Sequence, residues 1–494
     1  MLFPRVQAGE KGIPPKVLGA CILLAALLLV CYWKIQMDDA YIYYVYARNI
    51  SSGHGYVFNY GERVYGTTSF LYTIIISIFR AALRWVPFIT LPMIGHFIGA
   101  ASLFALSILG IMILKESRLR FAPYVFPLFL LLNPLLKNSI GMETFLTLML
   151  IGAALLLYQR ERYASASIAC ALAVLSRPDS AIFAALLFVD FLARKRRLPP
   201  LRALAAFILI LIPWVIFNKL YFGTYIPISL SAKVAQTSSG RWGTGLIFLK
   251  GLAQCWNGSL FKHSTFLSLL ISAYAVARYR KRIGNQSILL VIIWNLVYLA
   301  VYGFILNPPA YGWYYTPLAL GTALTVALGF ETLAERSAED HARRLLRYCT
   351  HALVILALIG IILPIRVATG HTSARLVTYR LSAEWLNKHA PAGASVGANE
   401  VGILRYYYTN GPVIDALGLV TPAAARHVAM KDYSWYVHEY RPDYLMFAHP
   451  HRPVLEDMVE ETWFRNEYDL ATIIDPGHKA TELYARRSEQ PTRI

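Results

Sequence analysis

The stretch Met37-Asp38-Asp39-Ala40-Tyr41-Ile42-Tyr43-Tyr44-Val45-Tyr46-Ala47-Arg48-Asn49 follows an apolar run, Val17 to Tyr32, that is itself preceded by Arg5, Lys11 and Lys16. A basic flank before an apolar run marks either a cleaved signal or a retained anchor. Trp33-Lys34-Ile35-Gln36 is a poor cleavage site, so the run predicts an anchor. Two adjacent carboxylates thus emerge where a membrane helix ends. The Tyr and aliphatic residues after them, backed by Arg48, predict a helix lying in the membrane interface. Adjacent acids resist joint ionisation when partly desolvated, and their pKa values split. One of Asp38 and Asp39 can then act as a general base near neutral pH while the other accepts hydrogen bonds or a cation.

The rest of the chain agrees with a membrane setting. Of its 494 residues 57% are hydrophobic and only 15% charged, against about 25% charged in soluble domains. Apolar runs alternate with short Arg/Lys clusters until the last hundred or so residues turn polar. The formal charge of +19 falls mostly in those short loops, where it sets orientation, and no basic stripe interleaved with aromatics marks a nucleic-acid surface. The five cysteines show neither metal-ligand spacing nor a disulfide framework.

A spanning helix needs ~20 mostly apolar residues. The runs 17–36, 91–114, 121–137, 142–158, 163–177, 180–193, 201–219, 264–277, 285–306, 313–330 and 348–366 predict about eleven transmembrane helices. The run 69–82 is too short and reads as interfacial or re-entrant. With it excluded, Lys115–Arg120, Arg160–Arg162, Arg194–Arg197, Arg278–Arg282 and Arg343–Arg347 all share the side of the basic N-terminus, which is then the cytoplasm. The opposite, outer face collects Asp38, Asp39, Glu62, Arg63, Glu143, Arg177, Asp179, Lys233, Tyr311, Trp313, Tyr314 and Tyr315. Residues 1–366 read as the membrane domain, with a first outer loop over 37–90, and 367–494 as a small outer α/β domain.

The string Asp38-Asp39-Ala40-Tyr41-Ile42, Tyr46-Ala47-Arg48-Asn49, Gly53-His54-Gly55-Tyr56-Val57-Phe58-Asn59 and Gly61-Glu62-Arg63-Val64-Tyr65-Gly66-Thr67-Thr68-Ser69 resembles the first periplasmic loop of bacterial GT-C glycosyltransferases. It is most similar to the terminal arabinofuranosyltransferase-like branch. Further likenesses are Asn133-Pro134 with Gly141-Met142-Glu143-Thr144, Ser176-Arg177-Pro178-Asp179, Tyr221-Phe222-Gly223-Thr224-Tyr225-Ile226-Pro227 with Ala232-Lys233, and Gly312-Trp313-Tyr314-Tyr315. This chain departs from the family in carrying Asp179 where Glu is commoner, Ile228-Ser229 where Asn-Thr is frequent, and no Arg at the late aromatic group.

The resemblance implies a polytopic α-helical GT-C membrane protein of the bacterial inner membrane and cell envelope, with a periplasmic active site and C-terminal domain. It would move arabinofuranose or a hexose from a polyprenyl-phosphate donor to a periplasmic glycan, lipid or protein. Asp38 and Asp39 inherit the catalytic role without the sequence choosing between them. Arg177 and Lys233 are outer cations suited to the donor phosphate, Arg bidentately and Lys as a point charge. Glu143, Asp179, Arg48, His54, Glu62, Trp313 and Tyr314 are expected to shape the site or the acceptor. No His/Asp/Glu cluster has metal spacing, and a monophosphate donor does not demand a metal, although a divalent cation is compatible with it. The alternative is a transporter or flippase of lipid-linked sugars, but such proteins carry internal repeats and mid-membrane charges. This sequence shows no repeat and keeps its acids at the edge.

In the tail, Ser382–His389 and Val401–Tyr408 read as helices and Ser395–Ala398, Val413–Asp415 and Asp443–Phe447 as strands. Glu400 and Asp415 fall at strand ends, where acids cap or meet ligands.

Overall fold

The structure, a computed structural model, describes residues 13, 15–31, 37–256, 288–336, 374–477 and 479–487. The expected spans 264–277 and 348–366 lie outside these residues. Helix α1 (Pro15–Cys31) leads to α2 (Asp38–Ser51), α3 (Phe70–Ala82), α4 (Leu91–Glu116), α5 (Ala122–Leu131), α6 (Thr144–Gln159), α7 (Tyr163–Ser176), α8 (Ala181–Lys195), α9 (Leu201–Phe217), α10 (Ile228–Ser238), α11 (Ile247–Trp256), α12 (Ile288–Ala300) and α13 (Leu318–Arg336). Helices α9 and α12 run on into single π-helical stretches, Asn218–Phe222 and Val301–Leu306.

Among the described residues three helices, Leu91–Glu116, Leu201–Phe222 and Ile288–Leu306, are long and apolar enough to cross a membrane, and the other apolar helices are shorter. The expected span 121–137 shows why. Asn133-Pro134 stops α5 after ten residues, and the chain continues as a 3-10 turn, Pro134–Ser139, because proline cannot donate into the preceding ladder. Glu331 on α13 anchors that short helix. Its carboxylate accepts from the backbone N–H of Arg120, Phe121 and Ala122 at 2.7, 2.6 and 2.8 Å, satisfying donors that the first turn of α5 leaves open.

The C-terminal unit comprises α14 (Ala374–His389), β1 (Val396–Ala398), α15 (Gly402–Tyr407), β2 (Val413–Asp415), α16 (Ala424–Ala429), α17 (Trp435–Tyr440), β3 (Tyr444–His449), α18 (Thr462–Glu467), β4 (Tyr468–Ile474) and β5 (Ala480–Arg486). The sheet order is β2-β1-β3-β5-β4. Strands β2, β1 and β3 are parallel, whereas β5 joins β3 and β4 antiparallel, with a register irregularity at Leu470/Thr472. The segments after β1 and β2, where ligands meet parallel sheets, turn toward the helical bundle.

Helix α2 joins the two parts. It is not the surface helix its composition predicts, because Ala40 to Ala47 are all buried. Tyr44 and Tyr72 both donate to the carbonyl of Gly141, at 2.9 and 2.7 Å, and Tyr46 donates to Val64, so the tyrosines point into the protein. The face of α2 not covered by the bundle is covered by α15. Asp38 accepts from the N–H of Gly402 at 3.0 Å and of Ile403 at 2.8 Å. Ten residues on, Arg48 donates to the carbonyls of Tyr406 at 2.7 Å and Arg405 at 3.4 Å. One helix thus places an anion at the N-terminus of α15 and a cation at its C-terminus, the two ends the macrodipole favours. Gly402 is required for this approach, since a Cβ there would collide with the Asp38 carbonyl. Asn59 extends the seam by exchanging two 3.0 Å bonds with Val413 of β2 and accepting from buried Arg405 at 3.2 Å.

Two predictions follow from this architecture. Burial, then repulsion from Glu400, raises the Asp38 carboxyl to about 7 despite its backbone donors. A carboxyl raised in the folded state is stabilised while protonated, so docking weakens as pH climbs from about 4, the ordinary value, through 7. Hydrogen exchange corrected for intrinsic rates is expected to show amides 402–408 better protected at pH 5.5 than at pH 8. Asp38→Asn should flatten that dependence. Glu331→Gln, with one acceptor oxygen where three N–H groups converge, is expected to cost about 2–3 kcal/mol, read as a lowered thermal midpoint in detergent.

Candidate active site

Beside the seam lies a cavity of about 310 Å³ lined by Asp39, Thr67, Thr68, Glu143, Arg177, Asp179, Ser229, Lys233, Trp313, Tyr314 and Leu419, among others. Helix geometry explains why Asp39 is there and Asp38 is not. Successive residues of an α-helix project about 100° apart. Asp39, Ile42 and Tyr43 form one face of α2 and line the cavity, while Asp38 and Arg48 share the face that holds α15. The adjacent acids are therefore separated into two environments.

Asp39 makes no hydrogen bond among the described residues. Burial raises its carboxyl above the usual range, the Lys233 ammonium opposes the shift, and Glu400 adds to it. Lys233 lies on α10, whose inner face is Ala232, Lys233, Ala235 and Gln236 while Leu230 and Val234 are exposed. Its ammonium is 4.0 Å from the Tyr311 ring centroid and 5.5 Å from that of Trp313. Those two rings stack at 4.5 Å, and Tyr311 donates to Gln236 at 3.0 Å. Lys233 forms no ion pair among the described residues. Burial pulls its pKa below the ordinary lysine value, and Asp39 and Asp415 pull it back up.

Arg177 is differently disposed from the free phosphate ligand the sequence suggests. Its Nη1 donates to Glu143 Oε1 at 3.0 Å and Thr144 at 3.1 Å, and Nε and Nη2 grip both oxygens of Asp179 at 3.1 and 2.7 Å. Tyr302 also donates to Asp179 at 2.8 Å. Burial raises the Asp179 carboxyl, but the Arg177 charge and these bonds bring it below its ordinary value. Arg177 therefore fixes the two acids instead of offering an open charge. Glu143 Oε2 is left buried without a partner, as is the Ser229 hydroxyl.

Three carboxylates, Asp39, Glu143 and Asp179, face two cations across the cavity. Among the described residues no three or more His, Cys, Asp and Glu side chains are placed to hold a metal ion. Arg177 occupies three of the six carboxylate oxygens, leaving Asp39 and Glu143 Oε2 to meet a cation or a hydroxyl.

Of the remaining predicted site residues, Arg48, Glu62 and His54 lie outside the cavity. Arg48 belongs to the α15 clamp. Glu62 accepts from Asn59 at 3.1 Å in the same seam. His54 is exposed and packs on Tyr60 at 4.4 Å. Trp313 and Tyr314 line the cavity. Asp415 caps its own loop, accepting from Leu417 at 2.8 Å and Val420 at 2.9 Å. That turn sets Leu419 over the cavity and packs Val420 and the Leu419 carbonyl against Gly66, where a Cβ would meet them at 2.8 and 2.9 Å. Leu419, Ser229 and Tyr302 are cavity residues that the sequence reading did not single out. Tyr302 carries a usable signal, a polar tip inside an apolar run. Leu419 has none.

Residues 370–490 match a family described as a domain of unknown function (DUF8728). No curated protein matches the chain by sequence. Among solved structures the chain is similar to ArnT from Cupriavidus metallidurans bound to undecaprenyl phosphate, at 14% identity and TM-score 0.55, over 96% of this chain and 99% of that one. It is also similar to the oligosaccharyltransferase of Archaeoglobus fulgidus in the apo form, at 13% identity and TM-score 0.55, over 88% of this chain and 69% of that one. The same oligosaccharyltransferase in complex with Zn and sulfate gives 13% identity and TM-score 0.53, over 87% and 67%. The first-loop resemblance and these neighbours agree on architecture: the chain has the GT-C fold, a polytopic helical bundle carrying a C-terminal α/β domain.

Proposed function

We propose that this chain is a membrane glycosyltransferase that moves a sugar, arabinofuranose or a hexose, from a polyprenyl-phosphate donor to a glycan, lipid or protein acceptor. The observation that carries the reading is the shared cavity of Asp39, which has no hydrogen-bond partner among the described residues, and Lys233, which forms no ion pair among them. The undecaprenyl phosphate bound to ArnT supports the donor class. The proposed setting is the bacterial inner membrane, with the N-terminus cytoplasmic and the cavity and C-terminal domain periplasmic.

Asp39 removes the acceptor proton as the acceptor oxygen bonds to the anomeric carbon. The bond from that carbon to the phosphate oxygen breaks, and its electron pair leaves with the phosphate. Lys233 meets the developing charge as a point cation. Its aromatic walls keep it positioned and partly dry, which strengthens its field. Glu143 Oε2, held by Arg177 through the other oxygen, is the acceptor for a sugar hydroxyl. The flat faces of Trp313 and Tyr314 suit a sugar ring. Asp38 acts at one remove, by holding α15 and with it the loop that carries Leu419. No step runs through a metal.

Transfer from synthetic polyprenyl-phosphate arabinofuranose and hexoses by the purified protein tests the reading. Asp39→Asn is expected to lower turnover by roughly 10²–10⁴-fold, while Asp38→Asn keeps most of it. The reading is wrong if Asp39→Asn transfers sugar at the wild-type rate. The pH profile should be bell-shaped. Activity falls on the acid side as Asp39 protonates, above the usual carboxylate range, and on the alkaline side as Lys233 deprotonates, below the usual lysine range.

The two cations should separate in kind. Arg177→Ala leaves buried Glu143 and half-buried Asp179 without their counter-charge and is expected to cost about 3–5 kcal/mol of stability. Lys233→Ala should leave the melting temperature within a few degrees of wild type while raising the KM for donor and lowering kcat.

A further inference from the structure

A second cavity, of about 410 Å³, has no part in the proposed transfer. It lies between α7, α8 and α9, with Tyr163, Cys170, Leu187, Phe191, Ala203 and Phe207 among its walls. Its volume falls within the range in which proteins hold small apolar ligands, about 300–1,000 Å³. Helix α9 packs along α7, and Ala203 is its only buried residue among those described. The polar side chains at the rim are already engaged with one another. Tyr158 donates to Asp190 at 2.7 Å, and Arg194 pairs with the same carboxylate at 2.7 Å.

The mouth is charged. After α8 the chain turns through Arg196, in the left-handed region at φ 53, and enters α9 at Leu201. Pro199 and Ala203 line the cavity, so Arg197 and Arg202 flank its entrance in sequence. Arg194 and Lys195 are neutralised by Asp190 and Glu161, and the Glu161 charge also reaches Arg197, but Arg196, Arg197 and Arg202 form no ion pair among the described residues and are exposed. An apolar slot with open arginines at its mouth complements an amphiphile with a hydrocarbon tail and an anionic head, the pattern of basic pockets between membrane helices.

We propose that this cleft is a binding site for an anionic diacyl phospholipid. One acyl chain fills the space between α7 and α9, and the phosphate rests on Arg197 and Arg202. The inference does not depend on the sugar-transfer reading, since it concerns neither the transfer cavity nor its residues.

Native mass spectrometry of the full chain with phosphatidylglycerol and phosphatidylcholine of identical chains tests it. The wild type is expected to retain phosphatidylglycerol at least tenfold better. Arg197→Ala with Arg202→Ala should remove that preference, roughly fivefold for each arginine from the strength of one basic side chain at an anionic surface, and Arg197→Lys with Arg202→Lys should restore most of it. Ala203→Trp, which fills the slot, should lower retention of both lipids. The arginine variants change exposed side chains, so they remain informative if the tryptophan variant fails to fold. Equal retention of the two lipids by the wild type, an unchanged preference in the double alanine variant, or displacement of bound phosphatidylglycerol by neutral polyprenol would overturn the proposal.

Discussion

The contact on which this molecule depends is the grip of α2 on a six-residue helix some 364 positions away in the chain. Alone, α15 is too short to be stable in water. It persists because the Asp38 carboxylate closes its open N–H groups and Arg48 closes its last carbonyls. Both side chains come from the same face of one rigid helix, so the spacing of the clamp is fixed by helical rise. The seam then extends outward through Asn59, which meets β2 as a strand would. A polar contact buried between an apolar bundle and an α/β domain contributes more to specificity of docking than to its strength, since each charge loses hydration on entering.

That grip also decides the chemistry. Two neighbouring acids in a flexible loop would share one environment; here they do not, although the Asp39 charge still helps to raise the Asp38 carboxyl. On α2 they are turned apart, and the backbone donors that satisfy Asp38 are unavailable to Asp39. The result is one carboxylate with structural partners and one with an ammonium across a cavity. Arg177 provides the complementary case. Its planar fork is saturated by Glu143 and Asp179, so the cation with the better phosphate geometry serves as a brace, and the less specific Lys233 remains open. Aromatic packing compensates by fixing Lys233 in position, which a flexible four-carbon stem would not achieve by itself.

Much of this was legible in the residues. Apolar length and Arg/Lys spacing located many of the bundle helices, but α5 stops at Leu131 inside the run 121–137, and α10 and α11 fall in no predicted run. The chemical groups of the cavity, Asp39, Glu143, Arg177, Asp179, Lys233, Trp313 and Tyr314, were all readable as outer-face polar residues in an apolar chain. Their pairing was not, because sequence says nothing about which carboxylate an arginine 34 residues away will meet. The placement of α2 was misread for a similar reason. Its tyrosines suit an interface by composition, and only the Gly141 and Val64 carbonyls that receive their hydroxyls turn them inward. Strands β4 and β5 went unseen because β5 is buried on both faces at its start and β4 carries a register break, so neither shows a clean alternation.

The burial of α2 has a consequence for how the protein is made. Ribosomes deliver Asp38 early and Gly402 near the end, after all the described helices of the bundle. Until then the tyrosine-rich helix has one face uncovered, and the loop bearing Leu419 does not exist. A nascent chain therefore carries Asp38 without its helical partner, and a chain truncated before Gly402 stays in that state. Closure of the seam between α2 and α15 is therefore a late step, set by the order of synthesis.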